Sequence, residues 1–209
     1  MFDLFNPYPK DAERGVSLNT LSDYSDMPGL IYLPSYISVK EEQELLRNIN
    51  SESWLSDIKR RVQHYGYKYD YKSRRIDYSM FLGALPLWAQ PFANKLYSEK
   101  FINQLPDQMI VNEYLPGQGI ANHVDCEPCF GETILSISLG SSCVMDFINL
   151  RTKAKKLILL EPRSLIVLSD EARHFWTHGI NARKIDDFKG NQIIRSKRLS
   201  MTFRKVILK

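Results

Sequence analysis

From Met109 onward the chain is cut into short β-rich runs: Met109 to Tyr114, Thr133 to Leu139, Val144 to Ile148, Lys156 to Leu160, Leu165 to Leu168 and Leu199 to Val206. Pro, Gly, Ser and Asp punctuate them, as turn residues do between strands. That spacing predicts a double-sheet jelly roll over about residues 108 to 207. The earlier part reads differently. Leu30-Ile31-Tyr32-Leu33 reads as a short strand, and Ser38-Val39-Lys40-Glu41 is a capping box that opens a helix through about Asn50. Leu45, Leu46 and Ile49 fall on the buried face of that helix. A second helix is expected from about Trp88 to Lys100, its start blurred by Pro86 and Pro91. The fold class expected is therefore α+β: a double-stranded β-helix (jelly roll) with N-terminal helices packed on one sheet. Residues 1–27 show no periodicity and read as an arm over the core.

Composition narrows the class. With 209 residues, 44% of them apolar, the chain can bury a sizeable core, and a single domain over 1–209 is the economical expectation. Lys and Arg outnumber Asp and Glu by 28 to 24, and the pI is about 8.9, compatible with a polyanionic partner. No apolar run reaches the ~18 residues that span a bilayer, and Asp3 stands where a signal peptide carries basic residues. A soluble monomer is expected, with no membrane partner, in the cytoplasm or, in a eukaryote, the nucleus. Three cysteines argue against a disulfide framework. Cys126 and Cys129 form a CxxC, but no second pair at suitable spacing completes a structural zinc site, so they read as oxidation-sensitive thiols.

Chemistry enters at His123-Val124-Asp125. On a strand, residues two apart point the same way, so an imidazole and a carboxylate can meet one ion from one face. His178, from a neighbouring strand, would complete a set of two histidines and one carboxylate. That is the facial triad of non-haem Fe(II) oxygenases, which leaves positions open for a cosubstrate and dioxygen. Arg198 and Arg204 lie six apart, on one face of a strand. A planar guanidinium there can grip the far carboxylate of 2-oxoglutarate in a two-point contact. His174, four before His178, reads as a structural residue or one that supports a metal ligand from behind, and Asp170 and Glu171 as turn acids.

Several separate stretches recur in a fixed order: Val111-Asn112-Glu113-Tyr114-Leu115-Pro116-Gly117-Gln118-Gly119-Ile120 before HxD, Ser136-Ile137-Ser138-Leu139-Gly140 after it, and Thr177-His178-Gly179-Ile180 around the second histidine. Over about residues 28 to 206 the chain closely resembles the AlkB family of iron(II)- and 2-oxoglutarate-dependent nucleic-acid dioxygenases. The resemblance implies Fe(II), 2-oxoglutarate and dioxygen as cofactors, with His123, Asp125 and His178 as metal ligands and catalytic residues. It implies Arg198 on the distal carboxylate of 2-oxoglutarate, with Arg204, Asn112 and Tyr114 on its remaining oxygens. Ser200 stands where the bacterial repair enzymes have Asn, which leaves one cosubstrate hydrogen bond in doubt.

Residues 59–78 interleave Lys59, Arg60, Arg61, Lys68, Lys72, Arg74 and Arg75 with Tyr65, Tyr67, Tyr69, Tyr71 and Tyr78. Cations neutralise phosphates and aromatic faces stack on unpaired bases, at about 1–3 kcal/mol per base. Tyrosines at period two also suit a half-buried strand with solvated lysines on its other face. The family resemblance favours a substrate lid at about 55–80, with Arg61, Tyr65, Tyr67, Arg74 and Arg75 as candidate contacts. Glu127, two beyond Asp125, faces the same cavity if the strand continues, and is otherwise a solvated acid in the turn before Pro128; an acid in the cavity implies adenine or cytosine lesions. The leading expectation is oxidative demethylation of N-alkylated bases in DNA or RNA, that is, alkylation damage repair. Trp176 to Ile180, Val144-Met145-Asp146-Phe147 and Ser200 resemble instead the tRNA wobble-uridine hydroxylase branch, whose RNA-binding and methyltransferase domains 209 residues would not accommodate. That side-chain hydroxylation, and an AlkB-like oxygenase acting on protein, are the alternatives.

Overall fold

The computed structural model describes residues 26–56 and 59–208. The arm expected at 1–27 falls almost wholly outside them; Met27, near where the description begins, is buried. In chain order the first elements are β1 (Leu30–Leu33), α1 (Val39–Ser51), β2 (Val62–Tyr65), α2 (Gln90–Ser98), β3 (Gln108–Tyr114), β4 (Ile120–His123) and β5 (Phe130–Gly140). There follow β6 (Cys143–Asn149), β7 (Lys155–Leu160), β8 (Leu165–Leu168), α3 (Asp170–His174), β9 (Trp176–Ile180), β10 (Ile185–Phe188), β11 (Asn191–Ile194) and β12 (Arg198–Val206). A six-stranded antiparallel sheet, β1-β8-β5-β12-β3-β2, faces a four-stranded one, β4-β9-β6-β7. From β3 onward the chain passes repeatedly from one sheet to the other, which is the jelly roll expected from the strand spacing.

Strand alternation gives the larger sheet two differently used faces. On β12, Leu199, Met201 and Phe203 join the cluster that holds Leu45 and Ile49 of α1 and Phe92 and Leu96 of α2. The intervening Arg198, Ser200, Thr202 and Arg204 line a cavity between the sheets. β5 divides the same way, with Leu135 and Ile137 toward the helices and Ile134 and Ser136 toward the cavity. Each fully buried Leu, Ile or Phe contributes about 1.5–3 kcal/mol, so the helix-side face anchors the polar one. The capping box of α1 forms as read: Glu41 N–H donates to Ser38 Oγ at 3.2 Å, and Ser38 N–H donates to Glu41 Oε2 at 2.7 Å.

Two local expectations are corrected, and one element is added. α2 begins at Gln90, because the carbonyl of Pro86 accepts from Ala89 N–H at 2.8 Å and spends residues 86–89 on a turn. Asp170 and Glu171 are the first turn of α3, where acids complement the helix dipole. The β10–β11 hairpin was not anticipated; its turn runs through Lys189 and Gly190, both at positive φ (52° and 81°), the geometry of a tight hairpin turn.

Candidate active site

β4 ends at His123, and the chain turns off the strand before Asp125. His123 and His178 are cross-strand partners on β4 and β9, with ring centroids 4.5 Å apart. Asp125 comes from the following loop and places Oδ2 3.4 Å from His178 Nε2. One ligand atom from each of the three lies within 4.8 Å of the others. The carbonyl of Ala121 sits 2.9 Å from His123 Nδ1. A carbonyl only accepts, so Nδ1 carries the proton and Nε2 keeps its lone pair for a metal. Burial, and then the neighbouring His178, push His123 down to about 4. Burial alone would raise Asp125, but the Arg204 guanidinium, whose Nη2 lies 2.7 Å from Oδ1, and His178 hold its carboxyl well below the usual range. A neutral imidazole, a second imidazole and an ionised carboxylate converging from one side form a donor set that fits Fe(II).

Beside the triad lies a carboxylate-sized demand for partners. Arg198 Nη2 donates to Ser138 Oγ at 2.8 Å, and its guanidinium lies 5.5 Å from the centre of the Tyr114 ring. Its Nε and Nη1 are buried with no hydrogen-bond partner, as is Nε of Arg204. Buried cationic N–H groups left unanswered are costly, and a carboxylate satisfies two at once. Asn112 Oδ1 accepts from Arg60 Nε at 2.8 Å, and Ser200 Oγ is 2.7 Å from Ser136 Oγ. The residues present therefore fit a dicarboxylate beside the metal, and Arg198, Arg204, Asn112, Tyr114 and Ser200 all line one cavity of about 940 Å³ with the triad.

The family model of the 2OG-Fe(II) oxygenase superfamily matches residues 29–204. The chain is a 2-oxoglutarate-dependent Fe(II) dioxygenase of the AlkB family. It is 36% identical over 91% of its length to the Alkylated DNA repair protein ALKBH8 homolog of Arabidopsis thaliana, spanning 62% of that protein. It is 38% identical over 86% of its length to the tRNA (carboxymethyluridine(34)-5-O)-methyltransferase ALKBH8 of Mus musculus, spanning 30% of it. The solved structure of OsALKBH1 superposes with a TM-score of 0.62 at 16% identity, over 85% of this chain and 97% of that one, and shares the fold.

The basic and aromatic part of the dioxygenase's cavity lining differs from the sequence reading. Lys59, Arg60, Tyr69, Tyr71 and Arg74 line it. Of the expected contacts only Arg74 is among them. Arg61 pairs both its Nε (2.8 Å) and Nη2 (2.7 Å) with Glu113 and stacks on Trp54, so it fastens the edge of the sheet. Tyr65 packs edge-on against Trp88, Tyr67 against Phe81, and Arg75 reaches Asp77 at 3.7 Å. Glu127 is also displaced. Because the strand stops at His123, Glu127 is exposed on a turn outside the cavity lining, where it meets His174 Nδ1 at 3.1 Å. His174 Nε2 meets Glu132 at 2.9 Å, which bears out its structural reading.

Two features escaped the sequence. Arg173 of α3 is buried and donates through Nη1 to the backbone carbonyl of Asp125 at 3.0 Å, fixing the loop that delivers the ligand. Its position five before His178 was the available signal. Cys126 and Cys129, read as free thiols, are joined in a disulfide, while Cys143 is free and buried. The odd count excluded a framework of bridges but not one local pair.

Proposed function

We propose that this dioxygenase oxidises a nucleobase substituent presented by single-stranded RNA, and that the side chain of a wobble uridine in tRNA is its substrate class. The observation that carries this is the cavity itself: the triad shares it with Lys59, Arg60, Arg74, Tyr69 and Tyr71. Cations there meet phosphates or a carboxymethyl carboxylate, and the tyrosines offer faces to a base already out of a stack. When bound, Fe(II) and 2-oxoglutarate supply the oxidation of a C–H bond by dioxygen.

The remaining work falls to this chain's residues. His123, Asp125 and His178 would hold the metal, with Arg204 keeping Asp125 ionised. Arg198 would take the distal carboxylate of 2-oxoglutarate on Nε and Nη1. Arg204, Asn112 and Tyr114 would meet its other oxygens, with Ser200 in the same wall. Buried walls from Ile110, Ile134, Ile166 and Leu168 keep water from the reacting carbon.

Demethylation of N-alkylated bases, the leading expectation from sequence, becomes the second reading. Its main support was an acid at the base edge, and Glu127 lies outside the cavity. The Arabidopsis relative, named for alkylated DNA repair, is what favours it. The wobble-uridine reading draws on the substrate named for the mouse relative, of which this chain spans 30%.

Oligonucleotides containing carboxymethyluridine in an anticodon loop, 1-methyladenine or 3-methylcytosine, incubated with the enzyme and 2-oxoglutarate, separate these readings by mass. Gain of one oxygen on the uridine alone is expected. Loss of a methylene from a methylated base would establish demethylation instead. Steady succinate with every oligonucleotide unchanged would sink the nucleic-acid reading and point to a protein substrate.

A further inference from the structure

Cys126 and Cys129 directly follow the metal ligand Asp125, and the CxxC they form plays no part in holding iron or 2-oxoglutarate. The disulfide sits at the base of the loop between β4 and β5, and Phe130, next along, opens β5. Both sulfurs also lie against a single backbone atom of the opposite segment. The carbonyl oxygen of Arg74 is 3.2 Å from Cys126 Sγ and 3.3 Å from Cys129 Sγ. Arg74 occupies a tight turn: its φ is +51°, its N–H donates to the carbonyl of Asp70 at 2.9 Å, and it lines the cavity. Within the turn, Asp70 Oδ1 accepts from Lys72 N–H at 2.8 Å and Ser73 N–H at 3.2 Å, while Tyr71 packs edge-on against His64 and Tyr69 and Arg75 reaches Asp77.

We propose that Cys126 and Cys129 are a redox-active dithiol–disulfide site, exchanging electrons with small dithiols, and that its state sets how firmly the turn at 70–75 is fastened over the iron site. A disulfide has no hydrogen to offer the Arg74 carbonyl, whereas two thiols at the same distances each supply a donor. Reduction therefore adds hydrogen bonds between the metal-ligand loop and the turn that carries Arg74, and oxidation removes them. Cys126 lines the cavity and Cys129 does not, so a reductant entering by the mouth meets Cys126 first.

The exchange balances as follows. A thiolate of the dithiol attacks Cys126 Sγ, the bond to Cys129 breaks, and Cys129 leaves as a thiolate that takes a proton. The reductant's second thiol then attacks the mixed disulfide, freeing Cys126 as a thiol and leaving the reductant as a cyclic disulfide. Two electrons and two protons pass to the protein. The return step consumes a low-molecular-weight disulfide, or a hydroperoxide that oxidises one thiol to a sulfenic acid, which the other thiol condenses with, releasing water. None of this depends on which nucleotide the enzyme oxidises.

The full chain, kept anaerobic, is equilibrated in mixtures of reduced and oxidised dithiothreitol, acid-quenched, denatured and alkylated, and its intact mass is read. One transition is expected, in which two of three alkylatable thiols vanish together and peptide mapping joins residues 126 and 129. Hydrogen exchange on the same samples is expected to show amides of residues 70–75 exchanging several-fold faster in the oxidised form, a response absent in Cys129→Ser. Three reactive thiols at every ratio would overturn the proposal, as would a bridge involving Cys143. A disulfide that forms without changing exchange at 70–75 would overturn the coupling to the cavity mouth.

Discussion

Two parts of the cavity lining are built by opposite means. At the iron end, His123 and His178 are partners in one strand ladder, and Arg198 and Arg204 stand on β12, paired along most of its length to β3 and β5. His123, His178, Arg198 and Arg204 inherit their direction from strand alternation, and Asp125 is delivered by the loop that follows β4. At the mouth, Lys59, Arg60, Tyr69, Tyr71 and Arg74 come from segments held by isolated bridges such as Tyr67 to Phe81 and Asp70 to Arg75. Reactive geometry is thus fixed mainly by long-range pairing, while the residues proposed for recognition come from turns that substitution can move without unfolding the protein.

Asp125→Ala should produce the largest effect. It removes a ligand and leaves the buried Arg204 guanidinium without its carboxylate, so Fe(II) retention and succinate formation should both disappear; measurable iron in the purified variant would break the contrast at its strong end. Arg198→Met should come next. Removing a buried charge-assisted contact costs about 2–4 kcal/mol, so half-saturation by 2-oxoglutarate should rise roughly 30- to 1000-fold with the fold intact by circular dichroism. An unchanged requirement would place the dicarboxylate elsewhere.

A third effect belongs to the metal-free protein and has a definite sign. An unfolded histidine takes up a proton below about 6.5, whereas folded His123 resists until about 4. The unfolded state therefore binds more protons in that window, and stability falls as pH drops through it, by up to about 3 kcal/mol. Urea unfolding from pH 7 to 4.5 should show this loss, and His123→Asn should flatten it; equal slopes in both proteins would refute the assignment.

The smallest effects test the mouth. Arg74→Ala should weaken oligonucleotide binding only a few-fold, lower its salt dependence and leave 2-oxoglutarate turnover without nucleic acid unchanged. Arg61→Ala should do the reverse. It strands the buried Glu113 carboxylate, so it should lower stability by about 1–3 kcal/mol with little change in oligonucleotide affinity. If the two variants behaved alike, the division between fastening and recognising residues would fail.

The same division explains what could be read beforehand. The arginine pair was legible because residues at even spacing in a strand share a face, the triad because two histidines and a carboxylate are a recognisable donor set although Asp125 lies past the end of β4, and the capping box of α1 because its bonds are local. Glu127 was misplaced because the parity rule was carried past the end of β4 at His123. The tyrosines of 65–71 were misassigned for a related reason: β2 ends at Tyr65, and beyond it period two no longer fixes a direction. Tyr65 and Tyr67 went to packing, and Tyr69 and Tyr71 to the cavity. The β10–β11 hairpin stayed hidden because what holds it is Asp186, fully buried between Arg183 and Arg195. Such pairs become visible only when the fold brings them together.

The most direct test of the account is an anaerobic titration of the metal-loaded protein with 2-oxoglutarate, followed by the visible charge-transfer absorption of the complex. The wild type is predicted to saturate at one equivalent, Arg198→Met to reach the same band only at far higher concentration, and Asp125→Ala to give none. A band that forms equally well in all three proteins would contradict the assignment of iron to the triad and of the distal carboxylate to Arg198.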